Sequence, residues 1–148
     1  MTLDRSSSEL IPRATRVFAA VAMLAGVLAT AQPAQAADNR VFEIRTYTTH
    51  EGKLADLHAR FRDHTNYIFV RHGMTLVGYW TPSDGPESEN TLVYILAYPS
   101  MEAREKAWSS FRNDPDWKKA YADSQKNGKI VQKVDSKFLK PTDYSPLQ

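Results

Sequence analysis

The chain contains no cysteine in its 148 residues. That excludes disulfides, thiol nucleophiles, thiolate metal ligands and redox relays, so stability must come from packing, with or without a partner subunit. An excess of one charge is also missing: 19 Lys and Arg face 17 Asp and Glu. A nucleic-acid surface needs basic residues gathered on one face. The lysines between Lys118 and Lys140 are interleaved with Asp116, Asp123 and Asp135, as on a solvated surface, and no nucleic-acid partner is expected.

A membrane span of about 20 apolar residues is absent too. Val17 to Thr30 is a small-and-apolar run of only 14 residues. Arg5, Arg13 and Arg16 precede it, and the small-x-small site Ala34-Gln35-Ala36 follows. This is the architecture of a secretory signal peptide cleaved after Ala36; the competing reading is an uncleaved N-terminal anchor. No Arg-Arg pair suggests twin-arginine export, and no cysteine could carry a lipid. The expected location is the periplasm or the medium, with no membrane attachment after cleavage. Residues 1–36 are thus read as leader, 37–140 as one domain and 141–148 as a tail. Removing the leader leaves 112 residues with 16 basic and 15 acidic side chains, the size of a single domain.

Within that domain, period-2 and period-3.6 patterns alternate. Val41 to Thr48 reads as a strand with Phe42 and Ile44 on one face and Glu43, Arg45 and Tyr47 on the other. Glu51-Gly52 turns into a helix from about Lys53 to His72, with Leu54, Leu57, Phe61, Thr65 and Ile68 as its buried stripe and Gly73 as its stop. Thr75 to Thr81 is a second strand, and Pro82 to Asn90 a polar loop. Thr91 to Tyr98 is a third strand, apolar on both faces. Ser100 caps a helix bearing Ala107, Trp108 and Phe111. Asp114-Pro115 starts another helix, with Trp117, Ala120 and Tyr121 on its inner side. Lys129 to about Phe138 is the last strand. The order βαββαβ is the ferredoxin-like arrangement: an α+β fold with a four-stranded antiparallel sheet and helices on one face.

Two helical segments cover one face of such a sheet. The doubly apolar third strand predicts a cover on the other face as well, and nothing else in the sequence is read as able to supply it. The expected cover is a second copy, giving a homodimer with a dimeric α/β barrel.

The ordered set Glu43–Thr48 (EIRTYT), Glu51–Leu54 (EGKL), Phe61–His64 (FRDH), Arg71–Trp80 (RHGM and LVGYW) and Asn113–Trp117 (NDPDW) resembles the NIPSNAP family. The resemblance runs from about Val41 to Leu139. It implies the fold of the dimeric α+β barrel superfamily, which includes antibiotic-biosynthesis monooxygenases and haem-degrading proteins, and it implies dimerisation. It implies no particular activity.

Metal and hydrolase chemistry find little support in the residues. His64 and His72 lie eight residues apart, about 12 Å along a helix, too far to share an ion. His58 and His64 point to opposite sides, and His50 lies in a turn. No metal site and no cofactor are therefore expected. His64 is the histidine that could serve as a lone axial haem ligand, although a partly buried, hydrogen-bonded histidine is the plainer reading. No serine has a nucleophile-elbow context, and Glu87 and Glu89 fall in a solvated loop.

A small-molecule pocket is better supported. Arg45 and Tyr47 share a strand face, Tyr79 and Trp80 point to opposite sides of the next strand, and His64 is expected over the space between helices and sheet. Each has a plainer reading: Arg45 pairs with Glu43, Tyr47, Tyr79 and Tyr98 are dimer-interface aromatics, and Trp80, Trp108 and Trp117 are core. Three functions remain open at this level. The first is an exported homodimer binding a small hydrophobic or aromatic molecule. The second is a cofactor-independent monooxygenase-like or isomerase-like enzyme on the same scaffold. The third is a protein-interaction module using the Pro82–Asn90 loop and the Pro141–Gln148 tail.

Overall fold

A computed structural model describes residues 40–147, so the leader and its cleavage site lie outside the described residues. Four strands, β1 (Val41–Thr49), β2 (Thr75–Trp80), β3 (Thr91–Tyr98) and β4 (Val131–Leu139), form one antiparallel sheet in the order β2-β3-β1-β4. Helices α1 (Leu54–Arg60) and α2 (Asn66–Arg71) connect β1 to β2, and α3 (Met101–Asn113) and α4 (Pro115–Ser124) connect β3 to β4. The ferredoxin-like α+β fold read from the sequence is the one observed.

Register fixes which side chains share a face. Glu43, Arg45 and Tyr47 stand opposite Leu96, Tyr94 and Leu92 on β3, and opposite Phe138, Ser136 and Val134 on β4. This is the face under the helices, where Leu57, Phe61, Ile68, Phe69, Trp108 and Phe111 close the core. A bulge between Leu76 and Gly78 shifts the alternation of β2, so that Tyr79 joins Tyr94 inside while Gly78 and Trp80 face out. The Trp80 indole lies over Gly78, where a Cβ would come within 2.5 Å of the ring.

The helix expected from Lys53 to His72 is interrupted by a π turn at Phe61–Thr65. The Asn66 N–H reaches back to the Phe61 carbonyl, and the Thr65 hydroxyl donates to the Arg60 carbonyl at 3.1 Å. The extra residue in that turn brings both Arg60 and Phe61 to the buried side. The segment ends in a Schellman motif: Gly73, at φ 80°, donates to Val70 O and Met74 to Phe69 O.

Asp114 then links the two helical connections. Its carboxylate caps α4 by accepting from the N–H groups of Asp116 and Trp117, and it also meets Arg71 and His72 Nε2, the latter at 2.6 Å.

Two expectations need correction. Tyr47, Tyr79 and Tyr98 lie under the helices, so they belong to the core face and not to the open face where a partner sheet would sit. The open face also has a cover from within the chain: Pro141, Thr142, Ser145 and Leu147 of the tail lie against Phe42, Val77, Ile95 and Leu139 around a cleft of about 290 Å³. Two prolines' worth of tail sequence had no periodicity to reveal that path. The rest of that face, including Ile44, Thr46, Val93 and the 52% exposed Trp80, extends beyond the cleft.

Candidate functional site

The helical layer covers β2, β3 and β1 but stops short of β4, whose inward-facing Val134, Ser136 and Phe138 are exposed. Between that strand and the helices, polar groups of opposite character lie at two places. Near α3 the Glu43 side chain, fully buried, accepts from Arg45 Nη1 at 2.6 Å and Ser136 Oγ at 2.7 Å. Arg104 binds it in bidentate fashion, at 3.0 and 2.9 Å, and the Trp108 indole N–H donates at 3.1 Å. The Tyr98 hydroxyl adds a longer contact of 3.4 Å. Burial alone would raise the carboxyl pKa, but the hydrogen bonds from Arg104, Ser136 and Arg45, with the Arg45 charge, outweigh it and lower it to about 2.

Arg45 stacks on Trp108 with its guanidinium 4.5 Å from the ring centroid and also approaches Tyr47 at 5.7 Å. Burial works to lower its pKa, yet the neighbouring Tyr94 and Tyr47 and the Glu43 carboxylate carry it above the ordinary arginine value. Its Nε has no hydrogen-bond acceptor, and the Tyr79 hydroxyl has no partner. Tyr79 and Tyr94 are stacked 5.5 Å apart, with Tyr47 and Phe61 edge-on to Tyr94 at 5.3 and 5.2 Å. Burial raises the Tyr79 pKa, so this hydroxyl stays protonated at neutral pH.

Toward α4, a second cleft of about 270 Å³ is lined by Tyr47, Arg60, Trp117, Tyr121, Val131 and Val134, with Gln132 and Lys133 at the same strand. Arg60 is only 4% exposed. Its guanidinium sits 5.7 Å from the Trp117 ring and 5.4 Å from Tyr121. Its hydrogen bond is to the Ser124 hydroxyl at 3.3 Å, its Nε is unpartnered, and no carboxylate of the described residues pairs with it. Burial pushes its pKa down.

Of the five residues singled out in the sequence, Arg45, Tyr47 and Tyr79 converge on this core face, joined through Tyr94 and Phe61. Trp80 is on the opposite face of the sheet. His64 is exposed and borders a surface groove with Asp63, Tyr67, Asp116 and Lys119, so it is neither partly buried nor over the sheet. The π turn is the reason: widening the helix after Phe61 keeps Thr65 in the buried stripe and turns residue 64 outward. The Arg45–Glu43 pair anticipated in the sequence is present.

Sequence reasoning passed over Arg60, Arg104, Ser136 and Tyr94, and treated Glu43 only as a partner for Arg45. Arg60 alone carried a local signal, since it lies three residues after Leu57 and beside Phe61 in the apolar stripe. Chemically, the Glu43 carboxylate is already surrounded by donors and held ionised, and burial keeps the Tyr79 and Tyr94 hydroxyls protonated. The arrangement therefore offers cations, hydroxyl donors and aromatic walls; it suits holding an electron-rich or anionic group better than accepting a proton.

The NIPSNAP family model matches residues 42–146. No curated protein matches the chain. Among solved structures, the NIPSNAP family protein Atu4242 of Agrobacterium tumefaciens, of unknown function, is 27% identical with a TM-score of 0.65, over 75% of this chain and 96% of that one. A NIPSNAP-like domain protein from Burkholderia xenovorans is 20% identical with a TM-score of 0.64, over 74% of this chain and 90% of that one. SnoaB, a cofactor-independent oxygenase from Streptomyces nogalater, shares the fold at 16% identity and a TM-score of 0.50, over 73% of this chain and 98% of its own. With the family pattern spanning the whole sheet and both helical connections, the chain belongs to the NIPSNAP family.

Proposed function

We propose that this protein is an exported homodimer that binds a small hydrophobic or aromatic molecule between its helical layer and the inner face of β4. The observation that carries the reading is the cleft of Tyr47, Trp117, Tyr121 and Val134, which joins aromatic walls to a buried polar anchor at the open edge of an otherwise packed core. Ligand sites commonly combine apolar walls with a few placed polar groups in this way. Enzymatic oxygenation, the activity named for SnoaB, is the weaker reading for this chain. Deprotonating an electron-rich ring needs a base, and Glu43, with its pKa lowered to about 2 and its oxygens occupied, is a poor one.

Dimerisation is supported by the open sheet face, where Ile44, Val93, Ile95 and Trp80 form an apolar surface that the tail covers only at one end. Export is supported by the leader sequence. Native mass spectrometry of the protein recovered from its own export route tests all three parts. The expected species is two chains, each beginning at Ala37, with a reproducible small-molecule adduct. A monomer overturns the dimer, and retention of residues 1–36 overturns cleavage. Soaking the adduct-free protein with hydrophobic and aromatic compounds and finding no bound species would remove the ligand-binding reading.

A further inference from the structure

We propose that Arg60 is the anion anchor of this cleft, so that the natural ligand is an aromatic or hydrophobic molecule bearing a carboxylate or a comparable single anionic group. The inference rests on the cleft reading above and specifies its ligand. A guanidinium has five N–H donors and stays charged in proteins. Taking it out of water without an opposing charge is costly, and buried cations are normally paired. Arg60 departs from that norm: it is 4% exposed, its Nε is without an acceptor, and a single neutral hydroxyl, Ser124 Oγ, accepts from it.

The rings of Trp117 and Tyr121 hold the guanidinium in place through their π faces, but they supply no counter-charge. Lys133, the other cation bordering the cleft, already pairs with Asp135 at 2.7 Å. The neighbouring cluster sharpens the charge argument. Glu43 is shared by two arginines, Arg45 and Arg104, so the core face as a whole carries more positive than negative charge. A ligand carboxylate at Arg60 would complete the unmet hydrogen bonding and offset that imbalance, while its apolar body lies against Tyr47, Trp117 and Val134.

The test compares 2-naphthoate with 2-naphthamide, two probes of nearly the same shape and different charge, by calorimetry on the mature protein. Binding of the carboxylate at least about tenfold tighter than the amide is expected, because a charge-assisted bond replaces a neutral one. Arg60→Gln should erase that preference while leaving amide affinity within about twofold, and Arg60→Lys should keep part of it. Equal affinities in the unaltered protein, or a preference that survives Arg60→Gln, overturn the anchor and leave the cleft reading standing. Failure of both probes to bind counts against the cleft reading itself and takes this inference with it. If Arg60→Gln does not fold, nuclear magnetic resonance of the unaltered protein decides: naphthoate should shift the Arg60 Nε–H and Trp117 indole signals, and unmoved signals with naphthoate bound overturn the assignment.

Discussion

Two charged groups are buried between the sheet and its helices, one near α3 and one near α4, and they are treated in opposite ways. Glu43 receives hydrogen bonds from Arg45, Arg104, Trp108 and Ser136, with Tyr98 at longer range. Arg60 has one hydroxyl and two ring faces. A buried charge whose donors are all in place holds the strands and α3 together, and little of its capacity is left for anything else. A buried charge left short of partners contributes little to the fold and keeps its capacity for a ligand. On the proposed reading, the difference leaves Glu43 to architecture and Arg60 to binding.

The contrast is broken most severely by removing the Glu43 charge. Glu43→Gln leaves Arg45 and Arg104 facing each other across a neutral amide, and breaking one side of a buried ion pair costs about 3–5 kcal/mol. Urea unfolding followed by tryptophan fluorescence should show that loss. A loss below about 1 kcal/mol would mean that the cluster is not what binds α3 to the sheet.

Acid gives the same comparison without a mutation. The folded pKa of Glu43 lies below its ordinary value of 4.5, so its contribution is complete above pH 4.5 and is lost as pH falls toward about 2. At roughly 1.4 kcal/mol per unit, the difference amounts to about 3 kcal/mol. Asp114 adds to the same slope. Burial would raise its pKa, but His72, Arg71 and the α4 N–H groups lower it further than burial raises it. Urea midpoints measured between pH 6 and 2 should therefore fall steeply below 4.5. Glu43→Gln should flatten that slope only in part, and an unchanged slope would show that Glu43 titrates normally.

How much of this was legible in the sequence follows from the range of each contact. Alternation placed Glu43, Arg45 and Tyr47 on one face because all three sit on a single strand. The partners Arg104 and Ser136 are 61 and 93 residues away from Glu43, and no local period announces them. The same limit hid the path of the tail across the open face. His64 was misplaced for a local reason: a π turn looks like ordinary helix in sequence, yet its one extra residue turns position 64 outward. The two paired choices on β2 fared better. Tyr79 and Trp80 fall on opposite faces whatever the bulge does; only which of them points inward depended on it.

The smallest expected effect sharpens the comparison most. Arg60→Met keeps a long, flexible side chain against Trp117 and Tyr121 and removes a charge that no carboxylate among the described residues pairs with. Replacing poorly compensated buried charge by an apolar side chain of similar length is often neutral or stabilising. The variant should unfold in urea within about 1 kcal/mol of the parent, or later than it, because the desolvation cost disappears along with only one weak hydrogen bond. A loss of about 3 kcal/mol, comparable to that for Glu43→Gln, would put Arg60 in the architectural class and end the contrast. Stability held constant while naphthoate binding disappears is the combination that a structural arginine cannot produce: it separates a cation kept for the fold from one kept for a ligand.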